Sequence, residues 1–146
     1  MARAPLMLAC LLAAAAPASG TEPTIPGVEN PARARIDYML KCQGCHQPDG
    51  TGNAVNTPPL KNEVARFLSV EGGRAFLVQV PGVASVDLGD ERLAEVLNWT
   101  LHRFDSAHLP KGFRPYTAAE VARLRRTPLR LDRVERRNQL VSRFPE

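Results

Sequence analysis

The pentapeptide Cys42-Gln43-Gly44-Cys45-His46 restricts this chain of 146 residues more than any other feature. It places two thiols three positions apart and adds a histidine directly after the second. A cysteine pair with this spacing serves as a redox dithiol, as part of a zinc site, as a short disulfide or as an attachment point for haem. The residues outside the pentapeptide distinguish these alternatives.

Three of these interpretations lack support elsewhere in the sequence. A thioredoxin-like dithiol belongs to a βαβ unit, and no alternating strand pattern of useful length is present. A zinc site needs four ligands, and no second Cys/His pair has suitable spacing. A disulfide between Cys42 and Cys45 leaves His46 unexplained. The pentapeptide therefore predicts one covalent haem c per chain, with thioether bonds to Cys42 and Cys45 and with His46 as axial iron ligand.

Residues 1–20 have the pattern of a signal peptide, which predicts export to the periplasm. Arg3 precedes an apolar run over residues 6–16, which is shorter than the roughly 20 residues that span a bilayer. Small residues follow, and cleavage is expected after Gly20 or, alternatively, after Ala18. An uncleaved membrane anchor is the competing interpretation. No other stretch is apolar enough to cross a membrane, so we expect no transmembrane segment after cleavage.

Charge is distributed unevenly along the rest of the chain. Residues 21–110 contain eight Lys and Arg against eleven Asp and Glu, whereas residues 111–146 contain ten against four. A basic segment can dock on nucleic acid, anionic lipid or an acidic protein face, and export makes nucleic acid the least suitable partner. We therefore expect no nucleic-acid partner. The alternative is that these charges form the solvated face of a helical extension.

Local patterns predict an all-α fold. Asn30 and Pro31 indicate the start of a helix that ends near residue 41, because Asn caps free amides and Pro fits the first helical turn. Thr117 and Glu120 form a capping box at the start of a later helix. This later helix covers residues 117–127. The remaining predicted helices cover residues 63–70, 74–80, 90–104 and 131–144.

Two positions after the pentapeptide make the sequence resemble the class I cytochromes c. Pro58 and Leu60 lie 12 and 14 residues after His46. In that family, a proline at this distance offers its carbonyl to the axial histidine, and a leucine packs on the haem. The carbonyl would fix the orientation of the imidazole, which a metal-bound histidine requires.

The resemblance covers residues 30–106 and includes the first and last helices of the family. Ala34 and Tyr38, before Cys42, match its small and aromatic positions, and Trp99 matches the aromatic of the last helix, which crosses the first. The resemblance implies an all-α cytochrome c-like domain around one haem. The expected division is a signal peptide (1–20), a flexible leader (21–29), the cytochrome c domain (30–106) and a basic helical extension (107–146). The expected apolar wall of the haem consists of Leu60, Phe67, Leu68, Phe76 and Leu77.

The sequence departs from the family at the sixth iron ligand. The family usually supplies a methionine from the loop before the last helix, but residues 80–86 contain none. Met39 is the only methionine after the signal peptide, and it is expected in the core of the first helix. The open alternatives are His102, His108, a side chain such as Lys61, water, or no ligand. We favour a five-coordinate or weakly water-ligated iron over bis-histidine ligation.

The resemblance implies an exported electron carrier rather than an enzyme. Its partners would be redox proteins of an exported dehydrogenase or oxidase system. Two alternatives remain open. One is a haem protein whose open iron site binds a small gas or peroxide, and the other is a haem subunit fixed in a larger oxidoreductase complex.

Overall fold

The computed structural model describes residues 24–145, so the predicted signal peptide lies outside the described residues. The helices are α1 (Pro31–Lys41), α2 (Gln43–His46), a 3₁₀ helix (Val64–Ser69), α3 (Gly73–Gln79), α4 (Pro81–Ala84), α5 (Asp90–Asp105), a second 3₁₀ helix (Ser106–His108), α6 (Ala118–Leu124) and α7 (Arg133–Val141). Within residues 24–145 there is no strand, and the predicted all-α fold class is confirmed. No helix of this range is both long and apolar enough to span a bilayer.

Helix α1 begins and ends where the sequence predicts. The Asn30 side chain accepts a hydrogen bond from the Arg33 N–H at 2.9 Å. The buried face of α1, however, differs from the predicted one. Ile36, Met39 and Leu40 are 53%, 47% and 72% exposed, so the expectation that Met39 lies in the core is wrong.

A salt bridge sets the orientation of α1. The carboxylate of Asp37 is buried and accepts a hydrogen bond from Arg92 Nε of α5 at 3.0 Å. This pair turns Asp37 and its neighbour Tyr38 toward α5, and it leaves the opposite, apolar side of α1 in solvent. A buried carboxylate needs such a partner, because an unpaired charge is costly to bury.

The crossing of α1 and α5 forms an aromatic cluster next to the pentapeptide. Ala34 is fully buried at the contact, which allows the two helices to approach closely. The ring centroid of Tyr38 lies 5.3 Å from that of Trp99 and 5.1 Å from that of Phe104. The predicted packing of Ala34, Tyr38 and Trp99 is therefore confirmed.

A second carboxylate ties the chain before α1 to α5. Glu95 is buried, and its side chain accepts hydrogen bonds from the Glu29 N–H at 2.8 Å and from Arg33 Nη2 at 2.6 Å. Val28 is also buried against the aromatic cluster. Residues 25–29, expected as part of a flexible leader, are thus packed against the body of the protein.

The C-terminal segment packs along the remaining helices. Tyr116 and Val121 are buried with residues of α3 and α5, and the Tyr116 hydroxyl donates to the Arg74 carbonyl at 2.8 Å. Half of the predicted capping box is present: the Thr117 side chain accepts a hydrogen bond from the Glu120 N–H, but the Glu120 carboxylate is paired with Arg74 of α3 instead of with the Thr117 N–H. Residues 107–145 therefore complete the hydrophobic core, although α6 and α7 are shorter than predicted.

Helix α7 covers part of the surface that we expected to face haem. Phe67 and Phe76 stack with their ring centroids 5.1 Å apart. Leu140 of α7 is fully buried against them, and the Phe144 ring meets Phe67 edge-on at 4.9 Å. The expectation that Phe67 and Phe76 form the haem wall is wrong, because α7 already occupies that contact.

Candidate haem-binding site

The pentapeptide begins directly after α1, and its last four residues form the single turn of α2. The Cys42 N–H donates to the Tyr38 carbonyl at 2.9 Å, and the Cys42 carbonyl accepts from the His46 N–H at 3.0 Å. These two i to i−4 hydrogen bonds join the end of α1 to α2, so both cysteines and the histidine lie on successive helical turns. Cys45 is exposed, Cys42 is half-buried and both thiols are free.

The properties of this cysteine pair argue against the competing interpretations. Burial raises the pKa of the Cys42 thiol to about 11, whereas a reactive redox dithiol has a lowered thiol pKa. Among residues 24–145, no group of three His, Cys, Asp or Glu side chains could hold a metal ion. A zinc site of the Cys/His type is therefore not assembled in the described part of the chain.

The Nδ1 side of the His46 imidazole faces the Pro58 carbonyl. Nδ1 is buried and has no hydrogen-bond partner. Burial lowers the pKa of His46, and the neighbouring Pro58 carbonyl opposes this shift. The carbonyl is close enough to act on the ring without reaching hydrogen-bond geometry. The structure thus brings together His46 and Pro58 as predicted, and the lowered pKa favours the neutral imidazole that metal ligation requires.

Two residues that sequence reasoning missed support this geometry. Gln47 follows His46 with φ at 64°, a value that residues other than glycine rarely adopt. The Tyr38 hydroxyl donates to the Gln47 carbonyl at 2.6 Å and so holds this turn in place. A Cβ atom on Gly52 would lie 2.3 Å from the Thr57 carbonyl oxygen. Glycine here lets the Pro58 segment approach the pentapeptide loop, and the Thr51-Gly52 pair was its only sequence signal.

Leu60 lies where the two main hydrophobic clusters meet. Its N–H donates to the Gly50 carbonyl at 2.8 Å, and its half-buried side chain contacts both clusters. A Cβ atom on Gly50 would come within 2.6 Å of the Phe104 ring. Glycine at this position therefore allows the loop to close over α5 and to place Leu60 beside the pentapeptide.

These residues fit a covalently attached haem on the side of His46. Two free thiols lie three positions apart in the sequence, an imidazole with a lowered pKa follows them, and the Pro58 carbonyl neighbours this ring. The Nδ1 of His46 is buried without a hydrogen-bond partner, and among the described residues the Nε2 of His102 shares this property. A buried polar atom without a partner is uncommon and often marks a functional position.

The loop before α5 supplies no histidine or methionine, and a basic side chain holds it. The Arg125 guanidinium donates to the carbonyls of Ala84, Val86 and Leu88 at 3.0, 2.6 and 2.8 Å. It also donates to a carboxylate oxygen of Asp90 at 3.0 Å. The residue therefore fixes the path of the whole loop, and this role was not predicted from the sequence.

Replacing Arg125 with alanine is expected to lower the free energy of unfolding by about 2–4 kcal/mol, because three carbonyls and a carboxylate lose a charged donor. The neighbouring Arg126 is exposed and forms no ion pair among the described residues, so Arg126→Ala should stay within about 0.5 kcal/mol of the parent. Urea denaturation of the two variants measures the difference. Equal stability of the two variants would contradict the role assigned to Arg125.

His102 and His108, the two candidate sixth ligands of the iron, form no hydrogen bond to the loop before α5. His108 Nδ1 lies 2.5 Å from a carboxylate oxygen of Asp105, a buried residue that also accepts the Ala65 N–H at 2.7 Å. The His102 ring packs edge-on against Phe113, with ring centroids 5.8 Å apart. Both imidazoles therefore contact neighbours in α5 or the C-terminal segment.

Comparison with known proteins relates this chain to two bacterial cytochromes. It is 39% identical over 103 residues to cytochrome c-552 of Thermus thermophilus, an alignment that covers 58% of this chain and 79% of that protein. A second cytochrome c-552, from a particular strain of the same species, is also 39% identical over 103 residues, with 58% of this chain and 70% of that protein covered. No family model and no solved structure matches the chain.

Proposed function

Because the chain belongs to the class I cytochrome c family, we propose that it is an exported cytochrome that carries single electrons between redox proteins. One haem c per chain, when bound, supplies a one-electron iron couple. Cys42 and Cys45 would hold it through thioether bonds, and His46 would ligate its iron. The position of the buried Nδ1 of His46 next to the Pro58 carbonyl carries this assignment, because a ring turned this way leaves Nε2 as the nitrogen for the metal.

The other site residues orient and shield the haem. The Pro58 carbonyl orients the imidazole, and the half-buried Leu60 provides apolar contact that keeps water from the iron. We assign no substrate reaction to these residues, since they supply attachment, ligation and shielding. The proposed partners are redox proteins of a periplasmic dehydrogenase or oxidase system.

We also propose the division of the chain into a signal peptide (1–20), a short leader (21–29), the cytochrome c domain (30–106) and a basic extension (107–146). The packing of Val28 and Tyr116 supports a leader and an extension that act as parts of the folded body. Export to the periplasm rests on the N-terminal sequence pattern.

A second candidate function is favoured by the loop before α5. Residues 80–89 contain neither methionine nor histidine, and Arg125 holds their backbone through three carbonyls. An iron without a protein ligand on that side would bind a small gas or react with peroxide. The same haem attachment serves both functions, so reduction and ligand binding distinguish them.

The attachment is tested with serine variants made in cells that mature c-type cytochromes. Haem should remain on the wild-type chain in a denaturing gel, because a covalent bond survives unfolding. Cys42→Ser/Cys45→Ser should lose all haem under these conditions. Gln43→Ala, between the two cysteines, is the matched control and should retain it. Loss of haem from the wild-type chain on denaturation would contradict the proposal.

A further inference from the structure

The loop between α6 and α7 presents two apolar side chains to solvent. Leu131 is 96% exposed, and Val134, three residues later in the first turn of α7, is 58% exposed. Single exposed apolar residues are common and need no explanation. Leu131 and Val134 differ from such single residues because the loop around them is anchored and basic.

The loop is fastened to the body of the protein just before these residues. The Leu129 N–H donates to the Gln79 carbonyl at 2.8 Å, and the Gln79 side chain donates to the Thr127 hydroxyl at 2.8 Å. The Leu129 side chain packs against the cluster of Phe67 and Phe76. The exposure of Leu131 therefore belongs to an anchored loop that turns this side chain outward.

Exposed arginines flank the two apolar side chains in the sequence. They are Arg123, Arg126, Arg130 and Arg133. None of them forms an ion pair within residues 24–145, whereas Arg125 and Arg137 are paired with Asp90 and Glu63. The one acidic residue of segment 123–134, Asp132, accepts the N–H of Arg130. The exposed Glu135 follows Val134, so the four arginines outnumber two nearby acidic residues and the patch has a net positive charge.

We propose that this basic–apolar patch, formed by Leu131, Val134 and the four arginines, docks on the surface of an anionic lipid bilayer. A stable protein interface buries about 800 Å² on each partner, more than two side chains provide. A bilayer surface requires less, because a few apolar side chains enter the headgroup region while basic residues meet anionic headgroups.

Sedimentation with lipid vesicles tests this docking. The full chain should co-sediment with vesicles of phosphatidylcholine and phosphatidylglycerol, but not with phosphatidylcholine alone, and added salt should release it. Leu131→Ser should weaken binding about tenfold, since it removes one buried apolar side chain. Val55 is 90% exposed elsewhere on the surface, so Val55→Ser is the matched control and should bind like the wild type.

A second pair of variants tests the charges. Arg126→Gln/Arg130→Gln/Arg133→Gln should abolish binding at low salt, whereas Arg35→Gln/Arg103→Gln, at two exposed arginines outside the patch, should retain it. Equal binding to neutral vesicles, no binding at low salt, or unchanged binding of Leu131→Ser would overturn the proposal. Sedimentation is followed by protein staining, so its outcome is independent of the electron-carrier function.

Discussion

The reduced, haem-loaded protein is expected to bind one carbon monoxide per haem without first losing a protein ligand. Residues 80–89 offer neither methionine nor histidine, and Arg125 holds this loop through its own carbonyls. Association should therefore be at least about tenfold faster than in a methionine-ligated cytochrome, where the iron–sulfur bond must break first. Rapid mixing with carbon monoxide, followed by absorption spectroscopy, measures this rate.

Two variants separate an open site from histidine ligation. His108→Gln retains a donor for the buried carboxylate of Asp105, and His102→Gln changes the side chain that packs on Phe113. Both are expected to bind carbon monoxide at the wild-type rate. An iron–methionine charge-transfer band in the oxidised wild type would contradict an open site. So would a change from low to high spin in His108→Gln alone.

Replacing Trp99 with alanine is expected to lower the free energy of unfolding by about 3–5 kcal/mol. Its ring contacts Tyr38 and Phe104 where α1 crosses α5, and it is 8% exposed. Loss of the ring would leave a cavity that the helices cannot fill, because Ala34 already allows their close approach. Denaturant unfolding of the haem-loaded protein measures the effect.

Val55→Ala is the matched control for this experiment. Val55 is 90% exposed, so truncating it should change stability by less than about 0.5 kcal/mol. Because Cys42 directly follows α1, Trp99→Ala should also broaden the absorption bands of the haem. A loss below about 1 kcal/mol in Trp99→Ala would show that the aromatic cluster does not hold the two helices together.

Local sequence patterns were sufficient to predict where the main helices lie, but not which face of each helix is buried. The Asn30 cap, the Thr117 cap and the helix over residues 90–104 depend on neighbours in sequence, and all three were predicted. The buried face of α1 was not, because Asp37 is paired with Arg92, which lies 55 residues away. A charged residue in a helical pattern is ordinarily assigned to solvent, and nothing local marks this one as buried.

The same distinction applies to the candidate site. Cys42, Cys45 and His46 are adjacent in sequence, so their grouping was visible at once, and the family resemblance added Pro58. Arg125 was missed because its acceptors, from Ala84 to Asp90, lie 35 to 41 residues before it. Its place in a basic C-terminal segment favoured a surface role. Side-chain contacts between residues distant in sequence leave no periodic pattern in the sequence from which they could be predicted.

Mass spectrometry of a tryptic digest tests the central claim most directly, namely that haem is bound covalently through Cys42 and Cys45. Trypsin cleaves after Lys41 and Lys61, so segment 42–61 is released as one peptide that contains both cysteines and His46. The peptide should carry the added mass of one haem, and neither thiol should react with an alkylating agent before or after digestion. Recovery of the peptide without haem and with both thiols alkylated would contradict the account.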